Sequence, residues 1–368
     1  MYNDFAPRLA RVLTEYSTPV RKGDLVIIWG GLVSLELVEA LQYEVLQKGG
    51  HLSTQLNTPS WAEMFYRHAS DEQLKYVDPI VKAAFENVDI LYSIRGATNT
   101  KMLAGIDPAR MQLNQRASKP LMDIYNKREA AGDLRWTISG WPTMANAQEA
   151  EMGFLEYQEF VYKACGLHHE DPVAYWREFK DKQAKLVEWL KGKKQVEVRG
   201  PGVELSLSVE GRGWISAHGE KNFPDGEIFT CPVEDSVNGH VEFSYPSVYG
   251  GRLVEGVQLT FKDGKVVEAC AEKGEDYLYS QLDADEGSRF LGEFAIGTNM
   301  GIRRFTREIL FDEKMGGTIH LALGRGFPQI GGKNDSVVHW DMVHDMMQGG
   351  EVLVDGELFY RAGEFMVE

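Results

Sequence analysis

The chain has 368 residues, 43% of them hydrophobic, which is more than one core usually accommodates and predicts two domains. Its 39 Lys and Arg against 55 Asp and Glu give a formal charge of −16, so it lacks the basic footprint that nucleic-acid phosphates require. Cys165, Cys231 and Cys270 are too few and too scattered for a disulfide framework or a thiolate zinc site. With no leader-like start and no apolar run approaching ~18 residues, the expectation is a cytoplasmic protein with no membrane partner.

In chain order, Phe5 to Tyr16 predicts a helix with Phe5, Leu9, Val12 and Leu13 on one face. Residues 24–29 (DLVIIW) form a short continuous apolar run, as a buried parallel strand does. Ser34 to Gln47 predicts a helix closed by Gly49-Gly50. Residues 88–94 and 134–139 are two further buried-strand candidates, with helical stretches between them. This rhythm predicts an α/β class, with a doubly wound N-terminal domain over 1–194 serving as scaffold and oligomerisation domain. The turn Gly30-Gly31-Leu32-Val33-Ser34 is not G-x-G-x-x-G, which argues against a dinucleotide there.

Pro172 to Lys191 predicts a long amphipathic helix anchored by Trp176, Phe179, Leu186 and Leu190. Beyond it the texture changes. Gln195–Arg199 and Val203–Ser208 alternate apolar and polar, and Asp263-Gly264 and Asp355-Gly356 each sit between strand-like runs, as hairpin turns do. Residues 195–368 therefore predict a β-rich, mostly antiparallel second domain.

Several motif-like strings carry no chemistry. There is no G-x-S-x-G and no H-E-x-x-H. His168-His169-Glu170-Asp171 are adjacent residues between helices and do not readily converge on one ion. Gly326 to Lys333 has one residue too many for a P-loop and Asn334 where Ser or Thr should stand. Asp283-Ala-Asp285-Glu-Gly287 lacks the rest of a calcium loop and reads as an acidic turn.

The informative residues lie in the second domain. In Val337-Val338-His339-Trp340-Asp341, strand alternation puts His339 and Asp341 on one face. His320 sits in the apolar run 318–324. Glu227 follows a tight turn into an apolar strand, and Glu293 stands between apolar neighbours in 290–297. An unpaired glutamate is costly to bury, and a metal is one compensation. Two Glu, two His and one Asp form an oxygen and nitrogen set suited to zinc, cobalt or manganese.

The strings PDGEIFT, LGEFAIGTN, HLALG and SVVHWD, in this order, closely resemble the thermophilic metallo-aminopeptidases of the aminopeptidase T/S type. The resemblance implies an α/β N-terminal domain, a β-rich C-terminal domain holding two divalent metal ions, a homodimer, and release of N-terminal residues from peptides. It implies Glu227 as a glutamate bridging both ions, with Glu293, His320, His339 and Asp341 as further ligands. The family often carries a tyrosine seven residues after the first histidine; here that position is Phe327.

Peptide hydrolysis needs an activated water and a proton acceptor, for which Glu293 is the candidate. The expected function is a metal-dependent aminopeptidase acting on short peptides with a free N-terminus. Alternatives on the same residues are another two-metal amidase or dipeptidase, or a metal-containing oligomeric binding protein. Asp335, Ser336 and Asp345 are the nearby candidates to orient the histidines.

Overall fold

A computed structural model describes residues 4–367. The chain divides into two compact units, Met1–Tyr175 with Gly219–Pro224, and Trp176–His218 with Asp225–Glu368. The division does not fall at one point near residue 194: the helix Pro172–Leu190 lies mostly in the second unit, and a short stretch after residue 218 belongs to the first.

The first unit is built on five parallel strands in the order His51–Asn57, Leu25–Gly31, Ile90–Arg95, Arg135–Gly140, Asn222–Phe223. Three of these are the apolar runs the sequence marks. Strand Leu25–Gly31 lies inside the sheet, and its buried Val26, Ile27 and Ile28 suit a strand covered on both faces. Ile27 and Leu91 pack with Phe85 of helix Pro79–Asn87 and Leu121 of helix Lys119–Ala130. The strand His51–Asn57 carries no apolar run because it is an edge, half-exposed along its length. The N-terminal helix holds α geometry over Phe5–Val12 and widens to a π turn over Leu13–Ser17.

The second unit contains an eight-stranded antiparallel sheet and a five-stranded one. Both predicted hairpins form: Gln258–Lys262 pairs with Lys265–Cys270, and Glu351–Val354 with Glu357–Arg361. Asp263 and Gly264 have φ of 49° and 80°, and Asp355 and Gly356 have 52° and 79°. Two successive positive φ values are the signature of a type I′ turn, which Asp-Gly tolerates. The five-stranded sheet runs in the order His339–Asp345, Thr318–Gly324, Leu291–Gly297, Glu227–Thr230, Trp214–Ala217. Its three central strands are buried along their whole length. Among the described residues, no helix is long and apolar enough to cross a membrane.

Candidate metal centre

Strand register brings the five predicted residues together. Glu227 pairs with Gly297, two positions from Ala295, which pairs with His320. Two positions on, Ala322 pairs with both Glu293 and Asp341, and Gly324 pairs with His339. Directly paired residues point the same way, and the side-chain period is two. Glu227, Glu293, His320, His339 and Asp341 therefore share one face across four neighbouring strands. Ala295, Gly297, Ala322 and Gly324 lie between them on that face, so small residues leave the room that ligand groups need. The opposite face presents Ile228, Phe294, Ile296, Ile319, Leu321, Leu323, Trp340 and Met342 to the main core. Each strand thus anchors its polar face with an apolar one.

The polar atoms fall into two groups, Glu227–Glu293–His320 and Glu293–His339–Asp341, with the ligand atoms of each within 4.8 Å of one another. His320 Nε2 lies 3.2 Å from Glu227 Oε2 and 3.7 Å from Glu293 Oε1. His339 Nε2 lies 3.4 Å from Glu293 Oε2 and 3.7 Å from Asp341 Oδ1. Glu293 is common to both groups, whereas Glu227 belongs only to the His320 group. Glu227 was expected to stand between the two groups; by distance Glu293 is the carboxylate shared by both.

The chemistry of these donors fits divalent cations. His339 Nδ1 stands 2.8 Å from the carbonyl of Arg325, so Nδ1–H donates and Nε2 presents its lone pair to the carboxylates. Of the candidates to orient His339, Asp335, Ser336 and Asp345, none fills that role. Ser336 donates instead to Asp285 at 3.0 Å. Glu227 Oε2 is buried and accepts no hydrogen bond, an orphaned anion-bearing atom aimed at an imidazole. Burial disfavours the imidazolium of His320, yet Glu227 and Glu293 outweigh it and hold His320 well above its usual range. For His339 burial is likewise outweighed, chiefly by Glu293 and Asp341, and its value rises to about 9. The same buried carboxylates that favour a positive charge on each imidazole would favour a cation bound beside it.

Sequence reasoning missed Lys314. Its side chain is 1% exposed and its Nζ donates to Glu227 Oε1 at 2.6 Å, with Asp225 Oδ1 at 3.6 Å. It also pairs with Glu313. The signal was the charged triplet Asp312-Glu313-Lys314 set between apolar residues just before the His320 strand. Phe327 stands where the resemblance places a tyrosine. Its ring packs edge-on against His339, with centroids 5.5 Å apart, and lies 5.0 Å from Phe229.

The discounted strings have structural roles. His169 stacks on Tyr175 at 4.0 Å, and residues 168–171 form no metal-holding group among the described residues. Asp285 accepts from Gly287, Ser288, Ser336 and Val337 and so ties down the approach to the His339 strand. Phe327 N donates to Cys231 Sγ at 3.1 Å, which fastens the Gly326–Lys333 loop to the sheet that carries these donors.

The family described as thermophilic metalloprotease (M29) matches residues 4–365. Aminopeptidase 2 of Geobacillus stearothermophilus is 28% identical, with 98% of this chain and 97% of that protein covered. Aminopeptidase T of Thermus thermophilus is 27% identical over 95% of this chain and 93% of its own. The solved structure of wild-type AmpT from Thermus thermophilus superposes with a TM-score of 0.87 at 25% identity, over the whole of both chains. A 2,5-dihydroxypyridine dioxygenase from Pseudomonas putida shares the fold at a TM-score of 0.63 and 12% identity, over 100% of this chain and 99% of its own. The fold alone therefore does not choose the reaction. With the family match spanning nearly every residue and the oxygen and nitrogen donors gathered on one sheet face, the chain belongs to the thermophilic metalloprotease family M29, as a metallo-aminopeptidase.

Proposed function

We propose that the chain releases N-terminal residues from short peptides with two divalent ions, held by Glu227, Glu293 and His320 on one side and by Glu293, His339 and Asp341 on the other. The observation that carries this reading is the position of Glu293, whose two carboxylate oxygens face two different histidines. When bound, such a pair of ions activates water and polarises the scissile carbonyl. The nitrogen and oxygen donors suit zinc, cobalt or manganese.

The protein's own groups set the geometry. Glu293 bridges the two halves, and its charge is favoured over its acid form: burial opposes ionisation, but His320 and His339 bring it down to about 2. A carboxylate with both oxygens engaged orients rather than shuttles, which supports a positioning part for Glu293 and weakens its candidacy as proton acceptor. Asp341 completes the His339 side, where burial pushes its carboxyl up until a cation compensates. Phe327 and Phe229 place an apolar wall beside His339. A peptide's α-amino group has an ordinary pKa of about 7.7–8.0, so its neutral form is available as a ligand at mildly basic pH.

We further place the protein in the cytoplasm, as a homodimer. Three free cysteines fit a reducing compartment. Exposed Tyr43, Leu46, Leu56 and Trp61 flank or lie on the edge strand His51–Asn57, whose outer side has no neighbouring strand among the described residues, a surface that invites a second copy.

Metal content per chain, measured before and after chelation, tests the centre. Two equivalents of zinc, cobalt or manganese with loss and recovery of arylamide hydrolysis are expected. N-acetylated arylamides separate the two-metal amidase alternative. Cleavage that survives acetylation would overturn the aminopeptidase reading in favour of that alternative.

A further inference from the structure

Glu227 offers two oxygens, and only one of them is without a donor. Lys314 Nζ occupies Oε1 at 2.6 Å, while Oε2 has no hydrogen bond and faces His320 Nε2 at 3.2 Å. The lysine cannot turn away easily. It is 1% exposed and lies within reach of three carboxylates, Glu227, Asp225 and Glu313. Its backbone is pinned as well. Asn299 N donates to the Lys314 carbonyl at 3.1 Å, and Gly316 N donates to the Asn299 carbonyl at 3.0 Å. Asn299 Nδ2 also donates to the Asp225 carbonyl at 2.8 Å, so one residue ties the lysine segment to the turn that precedes Glu227. Gly226 and Gly316 permit this close approach. A Cβ at Gly226 would stand 2.6 Å from Asn299 Cβ, and one at Gly316 would stand 2.9 Å from the Asn299 carbonyl carbon.

A buried ammonium costs a great deal to desolvate, and stability alone is weak reason to keep one. A carboxylate that must act as a ligand with one oxygen is such a reason. Left alone, a glutamate can offer a cation both oxygens, and the second fills a position that substrate or water needs.

We propose that Lys314 is a positioning residue of the metal centre: it holds Oε1 of Glu227 and leaves Oε2 as the single oxygen that this carboxylate offers a cation beside His320. The proposal rests on the two-metal reading above. Removing the lysine alone would strand buried carboxylates, so the informative variant is Lys314→Met with Glu313→Gln. It removes one formal charge of each sign. Glu313→Gln alone is the control, because it keeps the contact between Lys314 and Glu227.

Cobalt(II) is the probe. The wild-type protein and the Glu313→Gln control are expected to share visible cobalt bands, which report coordination number. In the double variant Glu227 offers both oxygens, so the bands weaken and shift as a ligand is added. Its cobalt affinity changes at least tenfold, and kcat falls by more than KM changes. Bands and affinity equal to those of the control would overturn the proposal. A second measurement needs no variant. A crystal structure of the cobalt-loaded wild-type protein should place one Glu227 oxygen on cobalt and the other on Lys314; both oxygens on cobalt would overturn it. A wild-type protein that takes up no cobalt, zinc or manganese would sink the two-metal reading itself, and this proposal with it. That result is distinct from a loaded centre with Lys314 idle.

Discussion

Glu293 and His339 lie on strands that never pair, yet Glu293 Oε2 approaches His339 Nε2 to 3.4 Å across the intervening strand. The small side chain of Ala322, paired with Glu293 on one side and Asp341 on the other, leaves that path open. The other oxygen of Glu293 turns to His320. This gives a hierarchy of losses. Glu293→Ala should abolish binding of both ions, because it removes a ligand from each group. Glu227→Ala should weaken the His320 side alone, and Asp341→Ala the His339 side alone. Elemental analysis of each variant after equilibration with zinc would check this. Equal losses in Glu227→Ala and Glu293→Ala would return the bridge to Glu227.

Much of this site was legible in the sequence, because strand alternation is a local rule. Residues 339 and 341 must share a face, and a histidine amid 318–324 must either be satisfied or ligate. What the sequence could not supply was register. Whether Glu293 or Glu227 stands between the two histidines depends on which residues pair across strands, and pairing is a long-range property. Lys314 was hidden for a related reason. A lysine in a charged triplet usually faces solvent, and only the tertiary fold turns this one onto Glu227. The edge strand His51–Asn57 escaped because an edge needs no apolar run, whereas its inner neighbour Leu25–Gly31 announced itself by burying both faces.

Phe327 offers a test of transition-state stabilisation. Its ring makes a T-shaped contact with His339, so adding a hydroxyl to that ring tests whether a donor here reaches the candidate centre. Loss of one donor to a developing oxyanion typically costs on the order of 10²–10³ in turnover. Phe327→Tyr adds one oxygen to a ring of nearly the same shape, and turnover should rise with little change in metal content. Unchanged or lower turnover with both ions retained would mean that this chain does not depend on a hydroxyl here. Steady-state kinetics on an arylamide, with metal analysis of the same preparation, decides it.

Asp312 makes stability pH-dependent in an unusual sense. Burial pushes its carboxyl from the ordinary range up to about 8, against hydrogen bonds from Thr306 N and Oγ1 at 2.7 and 2.8 Å. An acid with a raised folded-state pKa binds a proton more readily folded than unfolded. Its contribution is therefore fully present below the unfolded value near 3.8 and is lost as pH rises toward 8. Asp312→Asn cannot ionise and removes this slope. Its Tm relative to wild type should improve as pH is raised from 5 to 9, by several degrees on the order expected for one or two kcal/mol. Parallel Tm profiles for the two proteins would show that Asp312 ionises in the fold as easily as in water.

Ala322 provides the most direct test of the shared face. It is fully buried, and its register partners are Glu293 and Asp341. Its neighbours along the strand, Leu321 and Leu323, point the other way into the main core. Ala322→Val adds two methyl groups on the metal-bearing side only. The strand itself should tolerate the change, because β-branched residues suit a pleated surface. Overpacking a well-filled interior typically costs about 1–3 kcal/mol, which bounds the loss of stability. The larger effect should fall on the ligands, since the valine would separate Glu293 from Asp341. We expect a folded protein by circular dichroism with at least tenfold weaker zinc binding on the His339 side. Zinc titration with a competing chelator measures this, and Leu321→Val, altering the opposite face of the same strand, is the control that should lose stability while keeping zinc affinity. If Ala322→Val keeps full affinity, the space between Glu293 and Asp341 is not where the cation sits, and the pairing of strands Leu291–Gly297, Thr318–Gly324 and His339–Asp345 would no longer account for the centre.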